Sequence, residues 1–234
     1  MEEQKKQAQR IQTSILSNAE RKALNWLSAH QPRWVTSNLL TAIGTLGALM
    51  VGVGLALTRL DFRWMWLSIA GLAVNWYGDS LDGSLARYRK TQRPTYGYYL
   101  DHTIDAVCEI IMAVGFGLSP YVRMDVALAV VILYLCLTLN VSINAHLKSE
   151  FKLTYAKLGP TEFRLILTLG FLVLIFLPGV REFACTVTLL GQDVVLHCID
   201  LFGIFATVVL TVIYIVTVLG DLSGYAKVDP PKRF

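Results

Sequence analysis

The sequence predicts an all-α integral membrane protein with six transmembrane helices and an N-terminal amphipathic helix at the membrane interface. Hydrophobic residues make up 54% of the 234 residues, and the mean hydropathy is +0.51. The apolar runs approach the roughly 20 residues that a helix needs to cross a bilayer, and lysine and arginine collect in alternate connections between the runs. We therefore expect one membrane domain, 37–222, between a cytoplasmic N-terminal segment, 1–36, and a cytoplasmic tail, 223–234.

The N-terminal segment carries an apolar stripe with helical spacing and has no apolar core typical of a cleavable signal peptide. Ser17 to Glu20 form a capping-box pattern, and Trp26 and Trp34 suit a lipid headgroup region. We expect an interfacial amphipathic helix. A helix packed on the protein's own cytoplasmic face explains the same stripe, and both arrangements can hold together. The stripe consists of Ile11, Ile15, Ala19, Ala23 and Leu27, widened by Leu16 and Leu24.

Six apolar runs follow, and each is interpreted as a transmembrane helix. The second runs directly into Asp79, and the third contains Asp105 and Glu109. The fifth is short and reaches full length only with Thr161–Arg164. The six runs are Leu39–Thr58, Trp64–Gly78, Thr103–Ser119, Val126–Ala145, Leu165–Leu177 and Leu201–Leu219.

The start of the fifth run contains one residue that helix formation does not explain. After Gly159, Pro160 is expected to stop a preceding helix, Thr161 to cap the next one, and Glu162 to favour its N-terminal dipole. Arg164 is unfavourable near a helix N-terminus. It therefore suggests either an anionic ligand or an acid of a functional site.

The basic residues predict the orientation in the membrane. Of the 21 lysines and arginines, seventeen fall at the termini, between runs two and three, or between runs four and five. Because positive charge concentrates in cytoplasmic loops, both termini and the loop after Asp79 are expected in the cytoplasm, at the inner membrane if the source is bacterial. The four remaining basic residues are expected on the opposite side of the membrane, namely Arg59, Arg63, Arg123 and Arg181.

The four cysteines show no metal-binding spacing. Cys108 and Cys136 lie inside apolar runs and are interpreted as packing residues. Cys185 and Cys198 lie in the non-cytoplasmic connection after the fifth run, where a disulfide could form, although simple burial is the favoured interpretation.

The most informative feature is a set of four aspartates where runs two and three meet. Asp79 and Asp82 are three residues apart and Asp101 and Asp105 four apart, so each pair shares a helix face. Acids within a membrane are costly and indicate a functional site. Two opposed acidic faces would form a cage of oxygen ligands suited to two Mg²⁺ or Mn²⁺ ions.

Small residues and an arginine accompany the acids and suit a diphosphate ligand. Gly83 lets a ligand lie against the helix backbone, and Arg87 could hold a phosphate with its planar guanidinium. Ala86 would let two helices approach closely, and Gly97 suggests close approach of a ligand or a helix. Two cations bridging diphosphate oxygens would stabilise charge on a leaving group.

These residues resemble the signature of the CDP-alcohol phosphotransferases, which displace CMP from a CDP-linked alcohol with a second alcohol. The resemblance covers 79–105 and consists of Asp79, Asp82, Gly83, Ala86, Arg87, Gly97, Asp101 and Asp105. It implies that the four aspartates hold two divalent cations and that Gly83 and Arg87 contact the CDP moiety. The loop from Arg87 to Gly97 is slightly longer than the family pattern.

Two further motifs resemble the choline/ethanolamine phosphotransferases within that family. Asp101-His102-x2-Asp105 is similar to their Asp-His motif, and Ser37-Asn38-x2-Thr41 to their Pro-Asn-x2-Thr. The resemblance implies that Asn38 and Thr41 lie near the nucleotide and that His102 is the general base, with Asp105 as the alternative. The alternative for His102 is a purely structural role, in which it only hydrogen-bonds Tyr98 or Tyr99.

The expected reaction is metal-dependent transfer of a phosphoalcohol group from a CDP-choline-like or CDP-ethanolamine-like donor to a lipid hydroxyl such as that of diacylglycerol, as in phospholipid biosynthesis. A CDP-diacylglycerol donor with a soluble alcohol acceptor is an alternative, and a phosphorylated acceptor could use a basic pocket. An intramembrane prenyltransferase and a divalent-cation transporter are weaker alternatives. The resemblance implies a homodimer, and no nucleic-acid partner is expected. The basic pocket for a phosphorylated acceptor would consist of Arg93, Lys148, Lys152 and Arg164.

Overall fold

The computed structural model describes residues 9–11, 16–148, 150–152, 160–189 and 191–231. Ile15 of the predicted stripe, Gly159, and the ends of the predicted 1–36 and 223–234 segments lie outside the described residues. The same is true of several basic residues used for the orientation, namely Lys5, Lys6, Lys157, Lys232 and Arg233.

Helices make up most of the described chain, as predicted, and each of the six apolar runs corresponds to a long helix. The long helices follow α1, and a 3-10 turn at Phe62–Trp64 precedes α3. A short helix, α7, follows α6. The helices are α1 (Ser17–His30), α2 (Ser37–Leu57), α3 (Met65–Tyr88), α4 (Pro94–Leu118), α5 (Met124–Lys148), α6 (Pro160–Phe176), α7 (Pro178–Arg181) and α8 (Cys198–Val228).

Two short strand pairs depart from the all-α prediction. β1 (Gln9–Ile11) pairs in parallel with β2 (Glu150–Lys152), and β3 (Ala184–Leu189) pairs antiparallel with β4 (Gln192–His197). The second pair is a hairpin whose strands are rich in threonine and valine, which favour extended backbone. Gly191 at its turn has φ +79, a conformation that glycine adopts without steric cost.

Among the described residues, three helices are long and apolar enough to cross a membrane: α2, Met124–Ala145 of α5, and α8. They indicate an integral membrane protein. The helices α3 and α4 have 24 and 25 residues but carry the acids, and α6 has 17 residues. Crossing of the membrane by α3, α4 and α6 stays a prediction.

The helix α2 packs against both acid-bearing helices through glycines. An added Cβ at Gly47 would lie 2.8 Å from the carbonyl oxygen of Gly71 on α3, and one at Gly52 would lie 2.9 Å from that of Ile111 on α4. Side chains larger than hydrogen do not fit at these distances. The backbones of α3 and α4 are therefore fixed against one common helix.

The helix α6 packs against α2 and α3 through a buried apolar cluster. Phe171 and Leu174 of α6 belong to one buried cluster with Val51 and Leu55 of α2 and Leu72 of α3, and each of these side chains is at most 3% exposed. This packing brings the N-terminal turn of α6, with Arg164, toward the acid-bearing part of α3.

The helix α1 lies on α3, as the second interpretation of its stripe predicts. Leu24 is buried in a cluster with Leu81 and Leu85 of α3. The buried face of α1 contains Leu24, one of the two residues that widen the stripe. Ala19 and Ala23, which belong to the stripe itself, are exposed. Trp26 on α1 and Trp34 in the connection to α2 are 61% and 73% exposed, so both aromatic side chains are accessible at this surface. Membrane binding by that face stays a prediction.

Polar contacts also join α1 to α3 and α6, and they correct two local predictions. Glu20 does not form the capping box; its carboxylate accepts hydrogen bonds from Trp76 Nε1 (3.2 Å) and from the Thr161 hydroxyl. Pro160 is the first residue of α6, where its missing N–H costs nothing, so Thr161 lies within the helix instead of capping it. Glu162 Oε1 accepts from the backbone N–H of Leu16 at 2.9 Å.

The cysteines are free thiols in the structure. Cys108 is buried in α4, and Cys136 is partly buried in α5. Cys185 lies in β3 opposite Leu196, whereas Cys198 is the first residue of α8. The conceivable disulfide between Cys185 and Cys198 is therefore not formed.

Candidate active site

Three of the four predicted aspartates come together between α3, which carries Asp79, and α4, which carries Asp101 and Asp105. Asp79, Asp101 and Asp105 each offer a carboxylate oxygen, and these three oxygens lie within 4.8 Å of one another. All three residues are partly buried. Negative charges at this distance repel one another, and a hard cation with oxygen ligands relieves the repulsion. The donor set therefore fits a divalent cation.

Asp82, the fourth aspartate, lies at the contact between α2 and α3. Its Oδ2 accepts a hydrogen bond from Thr41 Oγ1 at 2.6 Å, and its Oδ1 accepts one from the backbone N–H of Gly83. Among the described residues it is not part of the close carboxylate group. The structure thus brings three acids together, and a metal-binding role for Asp82 stays a prediction.

Arg164 reaches the acid group from α6, in agreement with one of its two predicted roles. Its Nη2 donates to Asp79 Oδ2 at 2.5 Å, and its Nε donates to Asn75 Oδ1 at 2.8 Å. The side chain is 16% exposed. The third nitrogen, Nη1, is buried and has no hydrogen-bond partner within the described part of the chain. Arg164 therefore neutralises part of the acidic charge and keeps one donor for another group.

Two polar residues near the acids were missed by the sequence analysis as site residues. Asn75 is 3% exposed and lies one turn before Asp79 on α3. Glu109 lies one turn beyond Asp105 on α4, and its Oε2 is buried without a hydrogen-bond partner among the described residues. The signal was the four-residue spacing itself, because positions i±4 share a helix face with the predicted acids.

His102 projects from α4 beside Asp101. Its Nδ1 lies 3.0 Å from the backbone carbonyl oxygen of Tyr98 and 3.7 Å from Asp101 Oδ2. The imidazole also stacks on the Tyr98 ring, with 4.1 Å between the ring centroids. A proton on Nδ1 satisfies the Tyr98 carbonyl, and in that tautomer Nε2 carries the lone pair that a base needs. The contact with a tyrosine, predicted for a histidine with a purely structural role, therefore exists. It does not prevent His102 from acting as a base.

The predicted phosphate-binding residues lie on the last turns of α3 and the first turn of α4. Arg87 is exposed, its Nη2 donates to Ser84 Oγ at 3.0 Å, and a Cβ added at Gly83 would lie 3.3 Å from its Nη1. Ala86 is partly buried. Gly97 is exposed with no described atom within 4 Å of an added Cβ, so the suggested helix contact is not formed there. Space for a ligand remains along this surface.

Asn38 and Thr41, predicted near a nucleotide, occupy the first turn of α2. Asn38 Nδ2 donates to the Tyr96 hydroxyl at 3.3 Å, and the guanidinium of Arg93 lies 3.9 Å from the Tyr96 ring centroid. Thr41 donates to Asp82, as described above. Both residues therefore lie at the same end of the bundle as the acids, and their nucleotide contacts stay a prediction.

The fold and the site define a class: a helical membrane protein in which a cluster of three carboxylates lies between two consecutive helices and is suited to a divalent cation. The chain belongs to the CDP-alcohol phosphatidyltransferase family, whose family model matches residues 34–219. This is a family of transferases of phosphate-containing groups, and the match confirms the family resemblance inferred from the aspartate signature.

One relative comes from zebrafish, Danio rerio, and is named cholinephosphotransferase 1. This chain is 34% identical to it over 97 residues, a segment that covers 39% of this chain. The match spans 25% of the length of that relative. The likeness supports the family, and the substrates are treated below as a proposal.

Proposed function

We propose that this protein transfers a phosphoalcohol group from a CDP-alcohol, of the CDP-choline or CDP-ethanolamine type, to the hydroxyl of a lipid such as diacylglycerol. The acceptor oxygen forms a bond to the phosphorus that carries the alcohol. The bond from that phosphorus to the bridging oxygen breaks, and CMP leaves with the bridging oxygen. The observation that carries the proposal is the close group of Asp79, Asp101 and Asp105 in a member of this family.

The carboxylates would hold Mg²⁺ or Mn²⁺, two ions if Asp82 joins the three grouped acids. When bound, the cations supply positive charge that stabilises the diphosphate and the leaving CMP. A cage of oxygen ligands is the chemistry that both ions prefer. The Thr41 hydroxyl would orient Asp82 through the 2.6 Å hydrogen bond.

The basic side chains would position the diphosphate. Arg87 would bind a phosphate with its planar guanidinium, because the side chain is exposed and the neighbouring Gly83 has no side chain. Arg164 would donate its buried Nη1 to a substrate oxygen while Nη2 stays on Asp79. Ala86 and Gly97 leave room for the ligand, and Asn38 and Thr41 lie where the nucleotide would extend.

His102 would accept the proton of the attacking hydroxyl at Nε2, because Nδ1 faces the Tyr98 carbonyl. Asp105 is the alternative base, since it lies one turn further along the same helix and belongs to the carboxylate group. The two assignments differ in the effect of removing His102, which is developed in the Discussion.

The site would face the cytoplasm, where a soluble CDP-alcohol is delivered, with both termini on the same side. The distribution of basic residues supports this orientation, and an even number of crossings, six as predicted, would place both termini on one side. The lipid acceptor would enter from the bilayer. A homodimer follows from the family resemblance.

The test uses purified protein in detergent with CDP-choline, CDP-ethanolamine and CDP-diacylglycerol, each against diacylglycerol and a panel of soluble alcohols, with CMP release as the readout. We expect CMP release with a CDP-choline-type donor and diacylglycerol, and none from Asp101→Asn, which keeps side-chain shape but removes a charge. Release only with CDP-diacylglycerol would instead establish the phosphatidyltransferase reaction. Release by Asp101→Asn equal to wild type would refute the carboxylate site.

A further inference from the structure

Asn75 and Asp79, one turn apart on α3, both accept a hydrogen bond from Arg164. Arg164 contacts two partners with two different nitrogens: Nε donates to Asn75 Oδ1 at 2.8 Å and Nη2 donates to Asp79 Oδ2 at 2.5 Å. Arginine and carboxylate otherwise favour a two-pronged pair, in which two parallel N–H groups bind both oxygens. Such a pair through Nε and Nη2 is excluded while Asn75 occupies Nε. The other oxygen, Asp79 Oδ1, therefore does not take part in a pair of that kind with Arg164.

The orientation of the Asn75 amide is fixed by a second hydrogen bond. Its Nδ2 donates to the backbone carbonyl of Gly44 on α2 at 2.9 Å, and the side chain is 3% exposed. A carbonyl oxygen requires a donor, and an arginine N–H requires an acceptor. Only one orientation of the amide satisfies both neighbours. The helix α2 thus holds the Asn75 oxygen toward Arg164.

We propose that Asn75 is a positioning residue for the metal site: it holds Arg164 Nε, which prevents the two-pronged pair of Nε and Nη2 with Asp79, and so keeps an oxygen of Asp79 available to a divalent cation. The inference rests on the proposed metal site. Partners behind metal ligands typically change metal affinity by about 10- to 100-fold when they are removed. Loss of Asn75 should therefore weaken metal binding although Asn75 does not touch the metal.

The test measures Mn²⁺ binding to purified protein in detergent by electron paramagnetic resonance, which needs no turnover. Asn75→Ser retains a hydroxyl that can donate to α2 but is too short to hold Arg164. We expect about tenfold weaker Mn²⁺ binding. Arg164→Gln should bind Mn²⁺ at least as tightly as wild type, because a positive charge beside the site is removed. Asn75→Ser added to Arg164→Gln should then change binding less than twofold, since the residue acts through Arg164.

Ser68→Ala is the matched control. Ser68 is also buried on α3 and also donates to a backbone carbonyl of α2, from Oγ to the Val51 oxygen at 3.1 Å, but within the described part of the chain it has no hydrogen bond to Arg164. It should leave Mn²⁺ binding unchanged. If Asn75→Ser does not give a monodisperse protein, Asn75→Leu, which has a similar branched shape without hydrogen-bonding groups, replaces it.

The outcomes separate the two hypotheses. Wild type that binds no Mn²⁺ would refute the proposed metal site and the inference with it. Wild-type binding with equal binding by Asn75→Ser would overturn the inference alone. An equal loss in the Arg164→Gln background, or in Ser68→Ala, would show that Asn75 acts through helix packing and would also overturn it.

Discussion

Replacement of His102 by alanine tests the chemical step directly. If His102 takes the proton of the acceptor hydroxyl, His102→Ala should lower kcat by about 10²- to 10⁴-fold. At about 1.4 kcal/mol for each factor of ten, that corresponds to roughly 3–5.5 kcal/mol of activation free energy. The substrate KM should change little, because the proposed role of the imidazole is at the hydroxyl and not at the diphosphate.

The structure offers a control that separates catalysis from helix stability. His30 on α1 makes two of the local contacts that His102 makes: its Nδ1 lies 2.8 Å from the Trp26 carbonyl oxygen, and its ring centroid lies 4.4 Å from that of Trp26. His30→Ala should therefore remove a comparable histidine–aromatic contact, about 1 kcal/mol, and leave kcat unchanged. Thermal unfolding of the two variants should shift by similar amounts.

The assay is CMP release under saturating donor and acceptor, repeated between acid and neutral pH. A general base must lose its proton to act, so wild-type kcat should rise with pH and His102→Ala should lack that rise. Retention of most activity and of the pH dependence by His102→Ala would refute this assignment. Asp105 would then be the base, and the CDP-diacylglycerol reaction would gain support.

Three further perturbations test the metal, the orientation and the packing. Asp82→Asn should abolish turnover with near-wild-type stability, and EDTA should silence wild type until Mg²⁺ or Mn²⁺ is added back; a fully active Asp82→Asn would remove that residue from the metal site. A cysteine at the exposed Gln92, between α3 and α4, should react with impermeant reagents only from the cytoplasmic side, and labelling from outside would invert the topology. Gly47→Ala should cost about 1–3 kcal/mol of stability or more, since its Cβ would lie 2.7 Å from Asn75 Cα. Gly170→Ala is the control and should cost nothing, because no described atom lies within 4 Å of an added Cβ. Equal thermal unfolding of the two variants would contradict the glycine packing.

The sequence predicted the helices and the position of the acids because both depend on local regularities. Apolar runs locate helices, and the spacing of Asp101 and Asp105 locates a shared face. Arg164 was identified because a cation at a helix N-terminus needs a partner, and the structure supplies Asp79. The sequence predicts only a connection where the hairpin lies, since the apolar residues Val194, Val195 and Leu196 follow one another instead of alternating with polar ones.

Contacts between distant segments could not be predicted in the same way. Asp82 was grouped with the other acids by its spacing, but its hydrogen bond to Thr41 depends on how α2 lies against α3. Asn75 is one polar residue in an apolar run, and its link to Arg164 arises only when α6 packs on α3. The inward face of α1 depends likewise on Glu20 meeting Thr161, 141 residues along the chain.

The glycine contacts of α2 have a consequence for genetic screens of this protein. At Gly47, Gly71 and Gly78 any added side chain collides with the backbone of the neighbouring helix, so nearly every missense variant there should be a loss-of-function allele. In a screen that counts only surviving cells, these positions would be as intolerant as the aspartates, although they hold no ligand. Scoring membrane-inserted protein abundance alongside growth would separate the two groups: the glycine alleles should lose abundance, and the aspartate alleles should keep it.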